Sequence, residues 1–85
     1  MVSKEIQINN VQGLHARPAT LVVQKATRFK SDVKVEYNGK SANAKSLIGI
    51  LSLGISMGAT IIISTKGIDE NMALKEIITL LESFE

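Results

Sequence analysis

The sequence predicts an α/β chain of the α+β kind, a two-layer sandwich with helices on one face of a sheet and the other face open. Three observations carry this. Apolar and polar residues alternate with period two over residues 2–9 and 32–37, and a β-branched run covers 60–65. Apolar residues recur at helical spacing after Pro18 and after Asp69. Asn38-Gly39 marks a tight hairpin between two short extended runs. The order along the chain is then β-α-β-β-α-β-α.

Residues 2–9 alternate around Ile6 and Ile8, as a half-buried strand does. Residues 10–15 contain Gly13 and read as a loop. Pro is favoured in the first turn of a helix, where its missing N–H is no loss, so a helix should begin between Ala16 and Pro18. It runs to about Arg28, with Ala19, Val22, Val23 and Ala26 facing inward. Val33, Val35 and Tyr37 alternate with Asp32, Lys34 and Glu36 in a second strand, and the hairpin leads into a third at 40–43. A short helix follows over 46–53 with Ser46 as its N-cap; Gly49 and Gly54 hold it to about two turns. Gly58 closes the next loop, and 60–65 reads as a buried strand. Asp69 is expected to cap a last helix from Glu70 to about Phe84, with Ala73, Leu74, Ile77, Ile78, Leu81 and Phe84 toward the core. With no repeat, linker or low-complexity segment, residues 1–85 read as one domain.

Composition excludes several classes of protein. Hydrophobic residues make up 45% and charged residues 21%, which suits a globular chain and not a disordered one. The absence of cysteine removes disulfides and thiolate metal sites, and a single histidine leaves little for zinc. No signal peptide is expected at the start of the chain, and apolar runs such as Ile61-Ile62-Ile63 are far too short for a membrane span. A net charge of +2 helps docking to acidic partners but does not mark a nucleic-acid binder, and two Phe, one Tyr and no Trp offer few stacking platforms.

The chemistry centres on Gly13-Leu14-His15-Ala16-Arg17-Pro18-Ala19, which holds the only histidine, a nearby arginine and the only proline. A histidine at or just before an N-cap meets the free backbone N–H groups and the positive end of the helix dipole, a ready anion site. Here those N–H groups belong to Ala16 and Arg17, and the Arg17 guanidinium adds a donor fork suited to phosphate oxygens. Such a site suits a nucleophilic imidazole that carries a phosphoryl group. Helix terminus and guanidinium both stabilise the negative charge that arrives with the phosphoryl group. Phosphoramidate nitrogen remains a good leaving group, so the site holds the phosphoryl without trapping it. No Asp or Glu lies between Gln7 and Ser31 to activate water, which favours a carrier over a histidine phosphatase. The bland alternative is a solvated histidine beside a cap. Gly13 and Pro18 are read as setting the loop and the helix start and nothing more.

The hexapeptide 13–18 resembles the active-site signature of the HPr family, the histidine-containing phosphocarriers of the bacterial phosphoenolpyruvate-dependent sugar phosphotransferase system. The resemblance covers essentially the whole chain. It implies a four-stranded antiparallel sheet of order 1-4-2-3 with three helices on one face. It also implies a cytoplasmic, monomeric carrier without cofactor or metal, and not an independent catalyst. His15 would accept a phosphoryl group on Nδ1 from phosphorylated enzyme I and donate it to sugar-specific IIA proteins, with Arg17 assisting. Glutamine replaces the histidine in the catabolite-repression homologue, so His15 favours a sugar-transport carrier. Gln12 departs from the pattern, since many relatives have Ser or Asn there.

Residues 43–54 are similar to the regulatory-serine region of family members from Gram-positive, low-GC bacteria. That similarity implies phosphorylation of Ser46 by an ATP-dependent HPr kinase/phosphorylase, and recognition of the product by a catabolite-control regulator. A plain N-cap is the alternative for Ser46. The family's docking face for enzyme I and the IIA proteins carries over to His15, Arg17, Thr20, Lys45, Leu47, Ile48 and Leu51, an apolar centre with a basic rim. Ile50 and Leu53 are expected in the core, Met57 and Met72 as packing residues, and Lys25, Arg28 and Lys30 as a solvated helix end.

Overall fold

The computed structural model describes residues 1–84, so Glu85, the last residue of the expected domain, lies outside the described residues. The elements are β1 (Val2–Gln7), α1 (Ala16–Ala26), β2 (Asp32–Tyr37), β3 (Lys40–Asn43), α2 (Leu47–Ser52), β4 (Thr60–Lys66) and α3 (Glu70–Ser83). All strand pairs are antiparallel and the order is β1-β4-β2-β3, as the resemblance implied.

β4 is central because it has an apolar face to bury between two neighbours. Ile61 pairs with Ile6 of β1, and Ile63 with Val35 of β2. Ile61, Ile63, Val33 and Val35 point under the helices and are buried, while Lys34 and Lys66 point to the open face and are exposed. The hairpin is built as its sequence demands, with Asn38 at φ 55° and Gly39 at φ 79°, both in the left-handed region that a two-residue loop of this type needs.

Helices α1 and α3 lay Ala19, Val22, Ala26, Ala73, Ile77, Ile78 and Leu81 on the sheet, and α2 adds the buried Ile50. Ile50 and Leu53 belong to the core, as expected.

Several details differ from the sequence expectation. β1 stops at Gln7, not Asn9. Ile8 leaves the ladder but stays buried, its N–H donating to Ala59 O (2.8 Å) and its carbonyl accepting from Gly58 N (2.6 Å). α1 ends at Ala26, because Arg28 N and Phe29 N bond to the carbonyls of Lys25 and Ala26 three residues back, tightening the last turn. Met57 and Met72 are exposed at 59% and 60%, so neither is a packing residue. Lys25 is half-buried and pairs with Glu76 at 3.5 Å, which ties α1 to α3 instead of leaving a solvated end.

Asp69 occupies the N-cap position of α3 without capping it. Its carboxylate turns to the loop after α1, accepting from the Ser31 hydroxyl and from Lys30 N and Ser31 N, each N–H at 2.9 Å. These donors, the Ser31 hydroxyl foremost and the Lys30 N–H next, hold the Asp69 carboxyl down at about 2. Gly67 makes room for this joint: a Cβ there would lie 2.7 Å from Ser31 Cα. At the helix start itself, Glu70 Oε1 accepts from Gly67 N (3.1 Å), which lowers the Glu70 pKa.

Among the described residues no helix is long and apolar enough to cross a membrane.

Candidate functional site at the start of α1

His15 is the N-cap of α1, with an extended backbone (φ −88°, ψ −168°), an exposed side chain and no capping bond from that side chain. Its carbonyl accepts from Ala19 N (2.9 Å) and so closes the first turn. Pro18 has no N–H, which leaves the N–H groups of Ala16 and Arg17 as the unbonded donors of that turn among the described residues. Backbone donors and the helix dipole therefore act on the space beside the imidazole, and no acidic residue in the first turn opposes them.

The chain reaches His15 along a path held from two sides. Gly13 sits at φ +59° with its Cα against the α2–β4 loop, where a Cβ would lie 2.5 Å from Ile55 O. Leu14 donates its N–H to Ile55 O (3.0 Å) and buries its side chain. Asn10 closes the loop from below: its Nδ2 donates to Gly13 O (2.8 Å), and its carbonyl accepts from Gly13 N (3.1 Å). The expectation that Gly13 only shapes the loop agrees with this geometry. Asn10 was missed, although an Asn three residues before a glycine is a recognisable turn former.

Arg17, with Gln12, Asn10, Pro18, Leu21, Ser83 and Phe84, lines an open cleft of about 450 Å³ between the start of α1 and the end of α3. Gln12, where the resemblance implied Ser or Asn in many relatives, thus shares a surface with Arg17. Thr20 is half-buried and spends its hydroxyl on Ala16 O (2.8 Å).

Ser46 caps α2 as expected, its Oγ accepting from Gly49 N (3.1 Å). Leu47, Ile48 and Leu51 stand out from α2 at 37%, 81% and 40% exposure, so the apolar stripe exists and is open. Leu21 of α1, which the sequence reading left out, and Met57 of the α2–β4 loop, which it placed as a packing residue, are further exposed apolar side chains; helical spacing from Arg17 would have found Leu21. Lys45 is placed differently from a rim residue. Its Nζ donates to Phe29 O (2.9 Å), so the ammonium ties the α2 entry to the end of α1. Among the described residues no cluster of His, Cys, Asp and Glu has the makings of a metal site.

A family model described as "PTS HPr component phosphorylation site" matches residues 2–83. The chain belongs to the HPr family. Among curated relatives it is 45% identical to an HPr-like protein Crh from Halalkalibacterium halodurans, over 96% of this chain and 98% of the relative. Among solved structures it is similar to HPr-C-His from Thermoanaerobacter tengcongensis, with a TM-score of 0.95, 48% identity, and coverage of 98% of this chain and 93% of that one. The phosphocarrier protein HPr from Bacillus anthracis gives a TM-score of 0.90 at 46% identity, over 93% and 94% of the two chains. A dimer of the T. tengcongensis HPr is also similar, at a TM-score of 0.79, 48% identity and coverage of 98% and 95%. The HPr fold thus occurs in dimers as well, and the expected monomer is not a property of the fold.

Proposed function

We propose that this HPr-family chain is a phosphocarrier that accepts a phosphoryl group from phosphorylated enzyme I on His15 and passes it to sugar-specific IIA proteins. The observation that carries this reading is His15 itself: an exposed N-cap imidazole beside the unbonded N–H groups of Ala16 and Arg17. A ring nitrogen of His15 attacks phosphorus as the P–N bond to enzyme I's phosphohistidine breaks. The helix start and the Arg17 guanidinium then carry the added negative charge. In a second exchange the P–N bond at His15 breaks as a nucleophile of the IIA protein attacks phosphorus, so the chain is a carrier and not an independent catalyst. Lacking a carboxylate from Gln7 to Ser31 to activate water, the site keeps its cargo for a partner. The docking face is the exposed set Leu47, Ile48 and Leu51 with His15, Arg17 and Thr20, and the work is done in the cytoplasm. Incubation with phosphoenolpyruvate and enzyme I tests this: the chain should take up acid-labile, base-stable phosphate, and His15→Ala should take up none.

A second, regulatory role rests on Ser46. Its hydroxyl lies at a helix start, half-exposed and beside the open apolar stripe, where a phosphate is locally tolerated and would meet any docking partner. HPr kinase/phosphorylase and a catabolite-control regulator are the partners of this role. Incubation with ATP and that kinase should label Ser46 and leave Ser46→Ala unlabelled.

A further inference from the structure

We propose that Asn10 is a positioning residue for the chemistry of His15, an inference that rests on the carrier reading above. Asn10 is a polar side chain at 4% exposure, buried beneath the loop that leads to His15. Side chain and main chain of this one residue both hold Gly13, the first through Nδ2 to Gly13 O at 2.8 Å and the second through its carbonyl to Gly13 N at 3.1 Å. Gly13 has no freedom on its other side, where Ile55 O and Ser56 Cα would crowd a Cβ at 2.5 and 2.7 Å. Leu14 N is fixed to Ile55 O at 3.0 Å. The peptide between Gly13 and Leu14 is therefore clamped at its carbonyl by Asn10, with the Leu14 N–H clamped by Ile55.

His15 follows directly, and its own side chain makes no capping bond that would orient it. The placement of the imidazole at the N-cap, where the Ala16 and Arg17 N–H groups are unbonded, is thus inherited from this backbone. Without the amide donor, the carbonyl of the buried Gly13 loses its partner, and the peptide plane turns to find another. Such a turn swings the His15 Cα and takes the ring nitrogen out of line with the incoming phosphorus. Misplacement of about an ångström costs up to about a hundredfold in rate. Buried as it is, Asn10 offers enzyme I little to touch, so its loss acts on the transfer step and not on recognition.

The test is steady-state phosphorylation of the full chain by enzyme I and phosphoenolpyruvate, with thermal melts fixing a temperature at which every variant is folded. Asn10→Ala should lower kcat roughly tenfold to a hundredfold with KM unchanged. Asn10→Asp, equal in size but presenting an acceptor to Gly13 O, should do the same at neutral pH. Asn10→Ser, whose hydroxyl restores a donor, should recover much of the lost kcat. Should Asn10→Ala fail to fold, Asn10→Asp and Asn10→Ser decide the matter through their kcat ratio. A wild-type kcat in Asn10→Asp, equal rates for Asn10→Asp and Asn10→Ser, or a loss confined to KM would each overturn the proposal. A wild-type chain that takes no phosphoryl group from enzyme I would overturn the carrier reading, and this inference with it. Normal wild-type transfer with indifferent variants overturns the inference alone.

Discussion

In the proposed carrier, His15 and Arg17 divide the work of the site between a nucleophile and a charge. The backbone donors beside His15 belong to Ala16 and Arg17 main chain, so they survive any change of the Arg17 side chain. Arg17→Ala should accordingly still be phosphorylated but transfer more slowly, losing a charge-assisted contact worth on the order of 1.5–3 kcal/mol. Single-turnover transfer from enzyme I, with both proteins equally folded, measures this; an unchanged rate would remove Arg17 from the site. Gly13→Ala acts on the backbone that leads to His15. It demands a left-handed backbone of a residue with a Cβ and drives that carbon to 2.5 Å from Ile55 O, so both the melting temperature and the transfer rate should fall. The identity of these residues was legible in the sequence because a lone histidine, a lone proline and a glycine stand together. The support beneath them was not. Asn10 carries a turn signal three residues before Gly13, but its burial against that glycine comes only with folding, and the Ile55 carbonyl that fixes Leu14 comes from a loop some forty residues away, a pairing no local pattern records.

Helix α2 carries the regulatory proposal. Ser46→Asp keeps an acceptor at the N-cap and adds a charge that the helix dipole favours by roughly 0.3–1 kcal/mol, so thermal stability should hold or rise slightly. An acidic partner approaching Leu47, Ile48 and Leu51 meets a like charge there, and transfer from enzyme I should slow at low salt and recover as salt is raised. Equal rates at low salt would remove the electrostatic mechanism, and a large fall in stability would make Ser46 a structural cap alone. The elements themselves were readable because each has its own period and punctuation: Pro18 opens α1, Asn38-Gly39 turns β2 into β3, and Ser46 opens α2. Their ends were less so. Ile8 belongs to the apolar pattern of β1 but pairs with Ala59 and Gly58 outside the ladder, and α1 gives up its last turn to i−3 bonds that bury Phe29. Asp69 shows the same limit, since an N-cap residue in sequence became a tertiary tie to Ser31 when the loop after α1 arrived beside it.

That tie and the Lys45 bond to Phe29 O fasten the loop after α1 from both sides, which holds the helix, and so its start at His15, in one orientation over the sheet. The Asp69 carboxyl is held at about 2 against an ordinary 3.8, so its contribution to stability is present above pH 3.8 and is lost as pH falls through about 2. Asp69→Asn should be less stable than wild type at neutral pH, with the gap closing in that acid window; denaturant melts across it measure the effect, and a gap independent of pH would contradict it. On the proposed reading, the molecule presents one imidazole for reversible phosphorylation. That reading is tested most directly by the stoichiometry and position of phosphate after incubation with phosphoenolpyruvate and a catalytic amount of enzyme I. A carrier should hold one acid-labile phosphate per chain, located on His15 and discharged on adding a IIA protein; label that persists in His15→Ala, or none in the wild type, would rule the carrier out.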